Sequence, residues 1–355
     1  MAPAKKASKP LLVVSAYMSI CEPPELIDAI AREILGVNGA VLIEVRPDAF
    51  FHRTHFVFGG RGDVPMRASL RAVRRLFERE DMAAQPGDLP YPGLVDQISF
   101  IPLESQSLSY CIPLARKFAR QVAGEFHLPV YLYGQAARIP ERQHFLHLRR
   151  IRYADLPTLL SQPEWKPDEG PARFVEKFGA LIVGARYYHI NLALYFDTEE
   201  AELIENLIEV ARIAHQRRSG KTAPNWVRMR QDPPRLVRLT PKLHTFVDEM
   251  VEDNVVRVVC NIPDYRDTPL HEVYEVFSES VHPLGIRTLG SKLLGYTPLE
   301  ALVDTGRYYA DKKGEPAASE DPQQYVEIAV KALQLNYKEP FNARLKILDY
   351  HFSRA

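Results

Sequence analysis

The run Pro129-Val130-Tyr131-Leu132-Tyr133-Gly134-Gln135-Ala136-Ala137-Arg138 constrains the fold more than any other stretch of the chain. Its β-branched and aromatic residues favour a strand, and apolar character on both faces predicts a strand covered on both sides, as in an α/β protein. Gly134 ends the run, because glycine reaches the backbone angles of a sharp turn. Tyr131 and Tyr133 stand two apart, so a strand points both phenols to one face. There they either fill a core or line a pocket with an apolar wall and a hydrogen-bonding tip.

A length of 355 residues predicts two domains or subdomains. Lysine plus arginine and aspartate plus glutamate number 45 each, a balance that argues against a general nucleic-acid or membrane-surface protein. Cys21, Cys111 and Cys260 lie at long spacings with no zinc pattern, as expected of reduced thiols in a cytoplasmic protein. Lys5, Lys6 and Lys9 ahead of the apolar run Leu11 to Cys21 imitate a secretory signal. Ser15, Tyr17 and Ser19 interrupt that run and no small-x-small site follows, so residues 1–10 are expected to be a disordered tail and Leu11 to Ala16 the first strand. No other stretch approaches the roughly eighteen apolar residues of a membrane span.

Periodicity gives the remaining outline. Helices are expected after Pro23-Pro24, over Met66 to Arg79, Ser107 to Phe126, Arg142 to Arg150, Glu199 to Arg218, Pro241 to Glu252, Pro269 to Val281 and Tyr325 to Leu335. Strands are expected over Val41 to Val45, Thr54 to Phe58, Asp96 to Pro102, Ala180 to Val183, Tyr187 to Phe196 and Val255 to Ile262. Loops are expected over Pro86 to Gly93, Pro157 to Pro171 and Ser219 to Pro234, and a linker over Asp311 to Gln324. Arg67, Arg71, Arg74, Arg75 and Arg79 form one stripe of their helix, either a solvated face or a dock for a polyanion such as a polyglutamylated folate tail.

Several local motifs fail on context. Gly220-Lys221-Thr222 ends like a phosphate-binding loop, but His215 stands where that loop needs glycine. His144 and His147 lack a third metal ligand, Arg61-Gly62-Asp63 reads as a turn, and no Gly-x-Ser-x-Gly pattern is present.

The opening run resembles the Pro-Val-Tyr-Leu-Tyr-Gly-x-Ala-Ala signature of the formiminotransferase family, the tetrahydrofolate-dependent glutamate formimidoyltransferases. The similarity continues through Trp165-Lys166-Pro167-Asp168-Glu169-Gly170-Pro171, Gly184-Ala185-Arg186, Asn261-Ile262-Pro263-Asp264-Tyr265, Thr268-Pro269-Leu270-His271 and Gly290-Ser291. The resemblance implies two subdomains, residues 11–178 and 179–305, each a mixed β-sheet covered by helices, with the sheets facing across a ligand tunnel. Residues 306–355 would be a linker and C-terminal helical tail. It further implies a cytoplasmic homodimer that takes a tetrahydrofolate derivative as co-substrate and an amino-acid acceptor, without metal, nucleic acid or membrane.

The same resemblance makes the departures informative. The family's His-Pro-Arg-x-Gly loop supplies a histidine suited to general-base work. Alignment through Gly87, Pro90, Gly93 and Asp96 puts Leu89 at that histidine and Tyr91 at the arginine. Arg46 stands where the family has an aspartate, and Tyr17-Met18-Ser19-Ile20-Cys21-Glu22 replaces its Pro-Asn-Phe-Ser-Glu-Gly loop. His52, in His52-Arg53-Thr54, takes the place of an asparagine and is the candidate relocated base; otherwise it is a partly exposed histidine at a strand start. Arg53, Tyr131, Tyr133 and Arg186 are candidate folate or substrate contacts, with an ion-pairing role open for Arg186. Asn261 and Asp264 either meet a pterin edge or form a local turn. Lys292, where the family has glutamate, reverses a charge near the expected pocket. The expected activity is formimidoyl or related one-carbon transfer; the alternative is an inactive folate-binding or partner-binding paralogue, because Leu89 and Arg46 cannot supply the missing proton chemistry.

Overall fold

In the computed structural model, residues 9–85, 89–103, 108–219, 235–250, 254–314 and 321–352 are described. The expected tail before residue 9 and the loop over 220–234, with its phosphate-loop imitation, lie outside them. The chain forms two compact units, one ending at Arg186 and taking back the chain from His351, the other spanning Tyr187–Tyr350. Both have the α/β character expected.

The first unit is built on six strands in the order β2-β3-β1-β4-β6-β5. These are β1 Leu11–Met18, β2 Val41–Asp48, β3 Arg53–Arg61, β4 Val95–Pro102, β5 Val130–Gly134 and β6 Leu181–Ala185. Pairs β2–β3, β3–β1 and β1–β4 are antiparallel, whereas β4–β6 and β6–β5 are parallel. A division near Gly179 would sever β6, which inserts between β4 and β5 of the first sheet; the chain changes unit only after it. Helices α1 Pro24–Leu35, α2 Val64–Arg79 and α3 Leu108–Phe126 bury their apolar stripes on one face of this sheet. Leu12, Val14, Ala16 and Met18 from β1, Phe56 and Phe58 from β3, and Val130 and Leu132 from β5 meet them there. Period-2 alternation then sends the intervening residues to the opposite face.

Four of the five arginines of the α2 stripe are partnered within the unit. Arg74 grips Glu125 of α3 in a bidentate pair at 2.7 and 2.8 Å, and Arg71 bonds Glu33 of α1 at 2.7 Å. Arg67 and Arg75 pair with Asp63 and Glu78 on their own helix or its cap. That stripe is an ion-paired face tying three helices together.

In the second unit the strands β7 Ile190–Phe196, β8 His244–Met250, β9 Val255–Ile262 and β10 Thr288–Leu293 form a sheet ordered β10-β7-β9-β8. Every described pairing in it is antiparallel, so mixed pairing is confined to the first sheet. The segment Pro241 to Glu252, expected as a helix, contributes β8 instead. Leu243, Phe246, Val247 and Met250 imitate helical spacing, but Thr245, Val247 and Glu249 find register partners on β9, and the ladder overrides the local pattern. Arg142 to Arg150 is likewise no continuous helix but a 3₁₀ turn, Pro140–Gln143, followed by one helical turn, Phe145–Leu148. The guanidinium of Arg142 is drawn inward to Asp168 at 2.5 Å and to the carbonyls of Glu164 and Lys166, which bends the chain out of a helical path.

The expected linker over Asp311 to Gln324 begins inside a helix, Leu299–Lys313, which ends at Gly314 in the left-handed region. That helix packs on Pro322–Ala332, and Gly306 is the point of closest approach, because a Cβ there would collide with the Tyr325 carbonyl. Overpacking costs about 1–3 kcal/mol, against a helix-propensity gain of up to about 1 kcal/mol. Gly306→Ala should therefore lower the urea midpoint of unfolding; an unchanged or raised midpoint would show that the two helices separate freely.

Candidate active site

The face of the first sheet turned away from the α1–α3 core is polar along one line. Register places Arg46 opposite His55, His55 opposite Tyr17, Ser15 opposite Ser99, Ser99 opposite Gly184 and Gly184 opposite Tyr133. The line thus crosses all six strands, from Glu44 and Arg46 on β2 to Tyr133 on β5, with Arg186 just beyond β6. Most of it is buried: Ser15, His55, Gln97, Ser99 and Tyr133 are each no more than 9% exposed. Polar groups at such depth must be satisfied by one another.

They are. His55 Nε2 lies 2.9 Å from Ser15 Oγ, and its Nδ1 lies 3.2 Å from Glu44 Oε2. Tyr17 stacks on the imidazole, centroids 4.2 Å apart and planes within 8°. Burial holds the imidazole pKa below its ordinary value, opposed by Glu44 and assisted by Arg46 and Arg186. His55 is therefore neutral at pH 7. The same Nδ1 also lies 3.3 Å from Arg46 Nη2; in the tautomer that donates from Nδ1 to Glu44, the nearer of the two, Nε2 accepts from the Ser15 hydroxyl. One strand away, the Tyr133 hydroxyl meets Ser99 Oγ and Gln97 Nε2, both at 2.5 Å, and Arg186 Nε donates to it at 3.2 Å. Gly184 leaves room for the Tyr133 ring, with which any Cβ at that position would collide.

The residues singled out in the sequence fall around this line. Tyr131 shares a face and an apolar cluster with Tyr133, and its hydroxyl donates to the Trp165 carbonyl at 2.7 Å. Arg53 stands 3.8 Å from Asp96 and lies over the rings of Tyr17 and Tyr91. Leu89 packs against the hydrophobic core, and the buried Tyr91 donates its hydroxyl to the Phe51 carbonyl at 2.6 Å. His52, with φ of 45°, has Nε2 2.8 Å from Gln85 Oε1 and Nδ1 3.3 Å from Cys21 Sγ, so both ring nitrogens are engaged.

In the second unit, Asn261 Nδ2 donates to Asn191 Oδ1 across the β7–β9 pair at 2.7 Å. Asp264 accepts from the Arg266 backbone N–H at 3.0 Å, the local-turn arrangement. Lys292 pairs with Glu339 at 2.9 Å, which locally offsets the charge it introduces. Among the described residues no group of three or more His, Cys, Asp or Glu is arranged to hold a metal ion, and no helix is long and apolar enough to cross a membrane.

Residues 11–186 match the family described as the formiminotransferase domain, N-terminal subdomain, and residues 187–353 match the formiminotransferase domain. The chain belongs to the formiminotransferase family. Similar relatives are the formimidoyltransferase-cyclodeaminase of Mus musculus, 33% identical over 92% of this chain and 57% of the relative, and the glutamate formimidoyltransferase of Thermoplasma acidophilum, 28% identical over 81% and 88%. The chain spans a little over half the length of the first of these. The family boundary between its two parts falls at the same peptide, Arg186–Tyr187, as the division between the compact units.

Against the family background, the residues that sequence reasoning passed over are Ser15, Glu44 and His55, together with Asp96, used there only to align the loop. A signal for the first group was available: β1, β3 and β4 carry polar side chains at alternate positions, Ser15 and Tyr17, Arg53 and His55, Gln97 and Ser99. Asp96 sits at a bulge, since Met18 pairs with Val95 while Tyr17 pairs with Gln97. Burial pushes its carboxyl from 3.8 up to about 6, against the pull of Arg149 and Arg53. The folded state thus holds this proton more tightly than the unfolded chain. The corresponding stability, roughly 3 kcal/mol, is fully present below pH 4 and is lost as pH rises through 6. Asp96→Asn should flatten the dependence of the urea midpoint between pH 4 and pH 7; an unaltered dependence would remove Asp96 as its source.

Proposed function

We propose that this chain transfers a formimidoyl group between tetrahydrofolate and an amine acceptor, with glutamate, the acceptor named for its Thermoplasma relative, as the first choice. The observation that carries the reading is the line Glu44–His55–Ser15, in which His55 and Ser15 are buried. Attack on a formimidoyl carbon needs a proton taken from the incoming amine and one returned to the departing folate nitrogen. Neutral His55, with Glu44 fixing its tautomer, is equipped to do both. We assign the base to His55 in place of Leu89, and not to His52, whose ring nitrogens are both occupied. Tyr133, Gln97 and Arg186 offer donors to charge that develops at the tetrahedral carbon, and Arg53 offers a guanidinium to a carboxylate. The setting proposed is a cytoplasmic homodimer with a folate and an amino acid as its small-molecule ligands. The replacements Leu89 and Arg46 favour a second reading, a folate-binding member without turnover.

Isothermal titration with 5-formyltetrahydrofolate followed by a formimidoyl-transfer assay on the same sample separates these readings. Binding with turnover is expected, and His55→Gln should retain binding while kcat falls by about 10²–10⁴-fold. His52→Ala should cost less than about tenfold on the same scale. Because burial holds the His55 pKa low, its base form persists to lower pH than an ordinary imidazole, and kcat should stay level further into the acid range. Binding without turnover would establish the second reading, and absence of both would end the folate assignment.

A further inference from the structure

Among the described residues, the group shown in contact with Nε2 of His55 is the Ser15 hydroxyl, at 2.9 Å. We propose that Ser15 is a nucleophile that carries the one-carbon group covalently, with His55 as its base and Glu44 as the residue that positions His55. The inference rests on the transfer reading above and changes its course from direct to double displacement.

Three geometric requirements of an activated serine are met together. Nucleophile and base are 2.9 Å apart and base and orienting carboxylate 3.2 Å; in the tautomer that donates from Nδ1 to Glu44, the Nε2 lone pair faces the hydroxyl. The third requirement is a set of donors beside the reacting carbon. Ser99 stands directly opposite Ser15 in register, which puts their Cβ atoms about 4.5–5.5 Å apart. Ser99 belongs to the hydrogen-bonded group of Gln97, Tyr133 and Arg186, so amide, phenol and guanidinium donors begin one strand from the nucleophile. Arg46 lies 3.9 Å from Glu44, and its own side chain, 60% exposed, brings the β2 end of the line to solvent. The same constellation of serine, imidazole and carboxylate is recognised by geometry on unrelated folds.

The chemistry balances without a further reagent. Ser15 Oγ attacks the formimidoyl carbon of 5-formimidoyltetrahydrofolate as its proton passes to His55 Nε2. The tetrahedral carbon expels N5, which takes that proton, leaving tetrahydrofolate and an O-formimidoyl ester on Ser15. The neutral amine of the acceptor then attacks the ester carbon and gives a proton to His55. Cleavage of the C–O bond returns that proton to Ser15 Oγ and releases the formimidoylated amine.

Two measurements on the full-length chain test this. Initial rates against both substrates should give parallel double-reciprocal lines, and donor added without acceptor, quenched in acid, should leave one formimidoyl group on the peptide containing Ser15. Independently of folate, an alkyl fluorophosphonate should label Ser15 once per chain, and the label should be absent in Ser15→Ala and His55→Gln. Ser15→Ala should lower kcat by about 10³-fold or more. Turnover by Ser15→Ala near the wild-type rate, or intersecting lines with no adduct on the wild-type protein, would overturn the nucleophile while leaving formimidoyl transfer intact. Fluorophosphonate labelling of Ser15 in a protein that neither binds nor transforms folate would keep the nucleophile and end the folate reading. Failure of labelling together with absence of turnover would end both.

Discussion

A β-sheet face that is both buried and polar must supply its own hydrogen-bond partners, because an unpaired polar atom inside costs about 1–3 kcal/mol. The first sheet meets that demand by register. Bringing His55 beside Tyr17 and Ser15, and Ser99 beside Ser15, fixes which residue of each strand faces which residue of the next. A slip of one residue on β3 would turn His55 into the apolar core and leave Phe56 among Glu44, Ser15 and Tyr17. The polar line therefore specifies the alignment of the sheet as strongly as the helices packed on its other face do, and the chemistry and the fold depend on one set of contacts.

Arg46 and His55 make sense together within that set. Where the resemblance leads one to expect a carboxylate and a loop histidine, the chain has a guanidinium and Leu89. The buried imidazole is supplied from β3, and the carboxylate that faces it is Glu44, two residues before Arg46 on β2. Leu89 joins the hydrophobic core. The imidazole and the carboxylate both stand on strands, where neighbours on both sides determine their orientation.

Much of this was legible in the sequence, and the part that was not has a physical reason. Strands β1, β3, β5 and β9 follow from apolar runs whose local preference agrees with their final pairing, and the motifs around Tyr131–Gly134 and Gly184–Arg186 identify the family. The residues of His244–Met250 suggest a helix because an edge strand with one exposed face can imitate helical spacing, and only its partner β9 decides the matter. Ser15 and His55 are 40 residues apart, and Gln97 and Tyr133 are 36 apart. Proximity between such residues exists only after strand order and register are set, so a search for motifs along the chain finds His52 before it finds His55.

The bulge at Asp96 has one more consequence. Val95 faces the core and Gln97 faces the polar line, although they stand two apart and in an unbroken strand would share a side. Asp96 is thus a phase shift in the count along β4: with it absent, Val95, Gln97, Ile98 and Ser99 would alternate sides as they already do. The strand has no geometric need of this residue. What it introduces is an acid whose proton is exchanged near pH 6, held at the end of the sheet where β1 gives way to the chain leading to Cys21.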